Sequence, residues 1–220
     1  MQSPPQHRQY VAALFDLDGV IVDTAKYHYL AWRRLANELG FDFSETQNER
    51  LKGVSRTRSL EILLEIGRLN FDEPTKRLLA AKKNSWYVEY IQEMDASELL
   101  PGSRECLMRL RAKGVKIALG TASKNAPLII RSLKIESLFD AIVDGNKVTK
   151  AKPDPEVFLL GARELGVSAH QCVVFEDAEA GLQAAKAAKM YAVGIGTADV
   201  LKSADVVMAG LHAFVEDTIF

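Results

Sequence analysis

The chain has 220 residues, of which 48% are hydrophobic and 26% charged, and its 28 basic and 29 acidic side chains leave a net charge of −1. A chain of this length buries a full core without staples, which excludes disorder, collagen and a disulfide scaffold. The near-zero balance points to neither a nucleic-acid partner nor an anionic membrane, so any strong charge must be local.

Residues 1–9 are polar, hold two prolines and read as a loose tail without the apolar centre of a signal peptide. Residues 10–15 form a short, nearly continuous apolar run, and residues 115–119, 141–143, 172–175, 191–195 and, more weakly, 205–208 repeat it. Such runs predict strands buried on both faces. Helical patterns separate most of them, which predicts an α/β fold: a doubly wound parallel sheet with right-handed crossovers. Gly114 and Gly166 suit helix C-termini. Asp154-Pro155-Glu156 reads as a helix start with an acidic cap and proline at the first position.

The stretch after the first strand breaks this rhythm. Helical patterns near 25–39, 55–67 and 75–93 predict a helical cap over residues 24–96, inserted into a core of residues 1–23 and 97–220. Pro101-Gly102 marks the return to the core. No apolar run reaches a membrane-spanning length. Cys106 and Cys172 lie far apart and read as buried free thiols in a reducing cytoplasm.

Chemistry gathers at the strand ends. Asp16-Leu17-Asp18-Gly19 follows the first run, and alternate residues of extended chain point the same way. Thr121 follows the second run, Lys152 comes in the loop after the third, and Glu176-Asp177 close the fourth. Ligands of open α/β sheets collect at the carboxyl ends of the strands. Two carboxylates about 4 Å apart repel by roughly 4 kcal/mol at an effective dielectric of 20. Four such acids therefore call for protons or a divalent cation, and all-oxygen donors with a phosphate nearby suit Mg²⁺. Thr121 and Lys152 suit a phosphoryl group, and a carboxylate can serve as its nucleophile. Taken singly, each residue has a plainer reading: a solvated turn, a surface lysine, or acids at a helix start.

The segment FDLDGVIVD, Thr121, the Lys152-Pro153 pair and the segment FEDAEAG together resemble the haloacid dehalogenase superfamily along essentially the whole chain. The resemblance implies that Asp16 is the nucleophile and Asp18 the general acid and base. It implies Mg²⁺ on the Asp16 side chain, the Asp18 backbone carbonyl and Asp177, with Glu176 bound or nearby.

Other features lie in the cap. His28 falls on the apolar stripe of Trp32, Leu35 and Leu39, where a satisfied core histidine is the plain reading. Lys83 falls on the stripe of Leu79, Trp86 and Tyr90, where a snorkelling lysine is the plain reading. Trp32 and Trp86 read as cap core. Ser55 suits a helix cap, and Arg56 behind it opposes the helix dipole. Thr24, His28, Lys52-Gly53, Arg56, Ser59 and Lys83, with Ala122-Ser123-Lys124-Asn125 of the core, are similar to the β-phosphoglucomutase family. By that resemblance Arg56 takes the non-transferring phosphate, assisted by Ser123 and Asn125. Lys52, Ser59 and Lys83 contact the sugar, His28 with Lys83 couples binding to proton handling, and Thr24 orients Asp18. Gly120-Thr121 departs from the usual Ala-Ser but keeps the hydroxyl.

The implied activity interconverts β-glucose 1-phosphate and glucose 6-phosphate, with β-glucose 1,6-bisphosphate as intermediate and activator. A monomer acting on a small sugar phosphate is expected. A capped sugar-phosphate phosphatase is the alternative, and a non-catalytic sugar-phosphate sensor a third reading. The intact Asp16 and Asp18 pair argues against the sensor.

Overall fold

A computed structural model describes residues 10–51 and 55–220. The chain divides into two compact units: Thr24–Met94, and the remainder, made of the chain up to Asp23 joined to Asp95–Phe220.

The larger unit is built on one parallel sheet. Its strands are β1 (Ala12–Phe15), β2 (Lys116–Gly120), β3 (Ala141–Val143), β4 (Cys172–Glu176), β5 (Tyr191–Ile195) and β6 (Val206–Met208), in the order β3-β2-β1-β4-β5-β6. Every neighbouring pair is parallel. β1 is central: the chain winds first to one side of it and then to the other. The crevice at such a switch point, at the carboxyl ends of the strands, is where α/β sheets bind ligands.

Alternation along β1 sends Leu14 to one face and Phe15 to the other. Ala12 and Leu14 lie in a buried cluster with Ala118, Val174, Val157, Phe158 and Leu182. Phe15 stacks on Phe175 at 4.5 Å, and Phe214 meets Phe175 edge-on. Both faces are buried, so all four residues of β1 are buried and apolar, with no polar residue until Asp16. The larger unit also holds α5 (Ser103–Ala112), α6 (Ala126–Ser132), α7 (Glu156–Leu165) and α8 (Glu179–Ala187). Gly166 ends α7 in the left-handed region at φ 66°, as the sequence predicts. α7 starts one residue later than expected, with Pro155 as its cap residue. Asp154 still does the work of a cap, accepting from the Glu156 N–H at 3.0 Å.

The smaller unit is helical, with α1 (Ala25–Glu38), α2 (Glu45–Asn48), α3 (Arg56–Gly67) and α4 (Glu73–Gln92). Its core is Trp32, Leu35, Phe43, Leu60, Leu63, Trp86, Tyr87 and Ile91. The expected helices are all present. The short α2 is additional, and Ser44 and Gln47 start it with a reciprocal capping box. Cys106 and Cys172 are buried free thiols. Among the described residues no helix is long and apolar enough to cross a membrane.

Candidate active site

β1 delivers the first acid. The Asp16 N–H still donates to the Phe175 carbonyl at 2.9 Å, so Asp16 continues the sheet register. β4 ends in Glu176, with Asp177 next in the chain. One carboxylate oxygen from each of Asp16, Glu176 and Asp177 lies within 4.8 Å of the others. Lys152 enters from the loop between β3 and α7. Its Nζ donates to Asp16 Oδ1 at 2.5 Å and to Glu176 Oε2 at 2.8 Å. It is therefore not the surface lysine of the plain reading: its side chain is 11% exposed.

The electrostatics follow from this packing. Burial alone would push the Lys152 ammonium down, but the charges on Asp16 and Glu176 outweigh it and raise the pKa above the ordinary lysine range. Burial, and then the Asp16 charge, push the Glu176 carboxyl up against the pull of Lys152. Burial of its carboxyl and the Asp16 charge push Asp177 up to about 6, although the residue as a whole is exposed. One ammonium does not neutralise three acids. Hard oxygen donors this close, carrying excess negative charge, fit a divalent cation such as Mg²⁺. Gly181 makes the room, because a Cβ there would lie 2.1 Å from Glu176 Cδ.

β2 delivers the hydroxyl. Thr121 is buried, its N–H donates to the Val143 carbonyl at 3.0 Å, and its Oγ1 accepts from the Ser123 N–H at 3.1 Å. Ser123 Oγ in turn accepts from the Asn125 N–H at 3.4 Å. Ala122, Ser123, Lys124 and Asn125 thus form one self-braced loop between β2 and α6. Asp18 stands two residues past Asp16, half-buried, where a single bridge pairs it with Val22.

The helical unit has a basic cluster of its own. Lys83 is 2% exposed, and its Nζ lies 4.5 Å from the Trp32 ring centre, 4.9 Å from that of Tyr87 and 2.8 Å from His28 Nδ1. The plain snorkelling reading is overturned: the whole side chain is inside, its head held by aromatic faces and an imidazole. Burial, then the neighbouring charges on Lys83 and Arg56, push His28 well below its usual value. Burial and Arg56 do the same to Lys83. Arg56 opens α3 behind Ser55, whose side chain accepts from the Arg58 N–H at 3.3 Å as expected. Ser59 and Thr24 are buried. Trp32 and Trp86 are cap core, as read. Lys52 and Gly53 lie outside the described residues.

Two groups at the larger site carry no motif of their own. Glu156 accepts from the Thr149 and Lys150 N–H groups at 3.0 and 2.7 Å, anchoring the loop that leads to Lys152. Gly145 and Asn146, just past β3, bind the loop after Thr121, and the Asp144 carboxylate holds Asn146. Their turn-forming composition was the available signal.

Comparison with known proteins agrees with this geometry. Residues 10–189 match the family described as haloacid dehalogenase-like hydrolase. The chain is 44% identical over 199 residues to the β-phosphoglucomutase of Bacillus subtilis, covering 90% of this chain and 88% of that one. It is 35% identical to a phosphorylated carbohydrates phosphatase of Thermotoga maritima, covering 80% and 81%. The crystal structure of a β-phosphoglucomutase from Clostridium difficile superposes with a TM-score of 0.86 at 42% identity, covering 95% of each chain.

Proposed function

The chain belongs to the haloacid dehalogenase-like hydrolase family, and from that membership we propose that it is a phosphomutase interconverting β-glucose 1-phosphate and glucose 6-phosphate. The observation that carries the chemistry is Asp16, a strand-end carboxylate held against Lys152 among two further acids. Similarity over 90% of the chain to the Bacillus mutase supports the choice of reaction.

In this reading Asp16 is the nucleophile and begins as an aspartyl-phosphate. The phosphoryl group passes to the 6-hydroxyl of β-glucose 1-phosphate, and Asp18 takes the hydroxyl proton. The product is β-glucose 1,6-bisphosphate. With the bisphosphate reversed, the Asp16 carboxylate attacks the phosphorus at C1, the P–O1 bond breaks, and Asp18 returns a proton to O1. Glucose 6-phosphate leaves and the aspartyl-phosphate is restored. Thr121 and Lys152 hold the moving phosphoryl group, where positioning and charge neutralisation dominate the rate. Mg²⁺ would be held by the Asp16 side chain, the Asp18 carbonyl and Asp177, with Glu176 beside it; when bound it neutralises phosphoryl charge.

The helical unit supplies Arg56 for the non-transferring phosphate, with Ser123 and Asn125 of the core. Lys52, Gly53, Ser59 and Lys83 serve the sugar, and His28 with Lys83 handles protons. Thr24 orients Asp18, and Ala122 and Lys124 complete the phosphate loop. Gripping the distal phosphate supplies remote binding energy for the transition state. The enzyme works as a monomer in the cytoplasm, consistent with its two free thiols.

The second reading, a sugar-phosphate phosphatase, is favoured by the Thermotoga relative. One assay separates them. With β-glucose 1-phosphate, Mg²⁺ and a trace of the bisphosphate, glucose 6-phosphate should form in large excess over free phosphate. Mainly free phosphate would mean a phosphatase.

A further inference from the structure

We propose that Asp144 and Asn146 are positioning residues that aim the phosphate loop 121–125. The proposal rests on reading that loop as a phosphate binder. Asp144 lies at the carboxyl end of β3 and is buried, at 6% exposure. Its Oδ1 accepts from the Asn146 N–H at 2.8 Å, an Asx turn, and its Oδ2 accepts from Asn146 Nδ2 at 3.2 Å. Both ends of Asn146 are therefore held by one carboxylate. The same Nδ2 donates to the Lys124 carbonyl at 3.0 Å. The Gly145 N–H between them donates to the Ser123 carbonyl at 3.2 Å. With the Thr121 N–H on the Val143 carbonyl, three bonds tie the loop to residues 143–146.

The direction of these bonds gives the clamp its use. Within a planar trans peptide, C=O and N–H point opposite ways. Holding the Ser123 carbonyl toward Gly145 therefore turns the Lys124 N–H away from it, while the Asn125 N–H donates to Ser123 Oγ at 3.4 Å. An anion loop needs its N–H groups facing outward and its carbonyls engaged elsewhere, or the oxygens repel the phosphate. The approach is close enough to need glycine: a Cβ on Gly145 would lie 2.2 Å from the Ala122 oxygen. Asn146 is exposed and packs in no core, so removing its amide tests aim rather than folding.

Wild type, Asn146→Ala and Gly145→Ala are compared as full chains. Inorganic phosphate binding is measured by calorimetry in Mg²⁺, and hydrolysis of a small aryl phosphate by steady-state kinetics. Asn146→Ala should bind phosphate about tenfold more weakly and raise KM by a similar factor, with kcat moved less than about threefold. Its melting temperature should stay within about 3 °C of wild type. Gly145→Ala, whose Cβ would press on the Ala122 carbonyl, should weaken phosphate binding with Asn146 intact. Phosphate binding by Asn146→Ala within twofold of wild type overturns the proposal, as does weakening accompanied by loss of the fold. If wild type itself binds no phosphate, the phosphate-loop reading fails instead. Amide exchange over residues 121–126 then still reads the clamp. Faster exchange confined to that segment in Asn146→Ala supports it, and unchanged exchange overturns it.

Discussion

Lys152 Nζ stands 2.5 Å from Asp16 Oδ1, the shorter of its two bonds to acids. An ammonium placed there faces the Asp16 carboxylate and, in the proposed mechanism, meets an incoming phosphoryl oxygen. Lys152→Met should lower kcat about 100- to 1000-fold, the loss expected when one preorganised positive donor is removed. Asp16→Asn should abolish both isomerisation and ester hydrolysis. Rapid-quench measurement of phosphoenzyme checks both, and normal phosphoenzyme formation in Asp16→Asn would remove Asp16 as nucleophile.

Gly181 offers a test in which helix propensity and site geometry oppose each other. It lies in the first turn of α8, and helices in general favour alanine over glycine. Its added Cβ, however, would lie 2.1 Å from Glu176 Cδ. Gly181→Ala should therefore raise the Mg²⁺ concentration for half-maximal rate about tenfold, an effect of misplaced carboxylates. Chelation of Mg²⁺ should stop the wild-type enzyme and re-addition restore it. A titration of rate against Mg²⁺ that overlays wild type would show that Glu176 can shift without consequence.

Much of this was legible in the sequence for a physical reason. A strand buried on both faces must be apolar, so the first acid after it marks its end and the ligand edge of the sheet. Asp16, Thr121 and Glu176 were found that way, and Lys152 by its place in the following loop. The residues that brace them were not. Gly145 and Asn146 bond backbone carbonyls of another loop, Asp144 holds Asn146, and no spacing in the chain encodes that pairing. The plain snorkelling reading of Lys83 fails because periodicity locates a side chain on a buried face but does not say whether its charged end leaves that face. The aromatic pair Trp32 and Tyr87 that holds the ammonium comes from two different helices.

In the proposed mechanism, Arg56 is the residue that separates a mutase from a simple esterase. A bidentate guanidinium suits a phosphate that stays on the sugar, whereas a small ester has no second phosphate to hold. Arg56→Ala should lower kcat/KM for conversion of β-glucose 1-phosphate about 100-fold and change hydrolysis of a small aryl phosphate less than about threefold. Equal loss on both substrates would take the distal-phosphate role away from Arg56.

The buried pair of Lys83 and His28 makes the helical unit sensitive to acid. An unfolded lysine keeps its proton up to about pH 10.4 and an unfolded histidine up to about 6.5. Folded, both pKa values are pushed well down, first by burial and then by charges: Arg56 acts on both groups, and Lys83 on His28. Between each folded value and its unfolded one, the unfolded chain binds more protons, so stability rises with pH across that window and falls on acidification. The unit holds both tryptophans of the chain, Trp32 and Trp86, so their fluorescence reports its unfolding directly. Wild type should lose stability as the pH falls below about 10 through Lys83, and further as it falls below about 6.5 through His28. Lys83→Met replaces a desolvated amine by an apolar chain of similar length. It should stabilise the unit at pH 7 by about 1 kcal/mol, flatten the alkaline limb and keep the acid one, while impairing catalysis. An unchanged alkaline limb in Lys83→Met would show that the buried amine is not the group whose protonation opposes folding there.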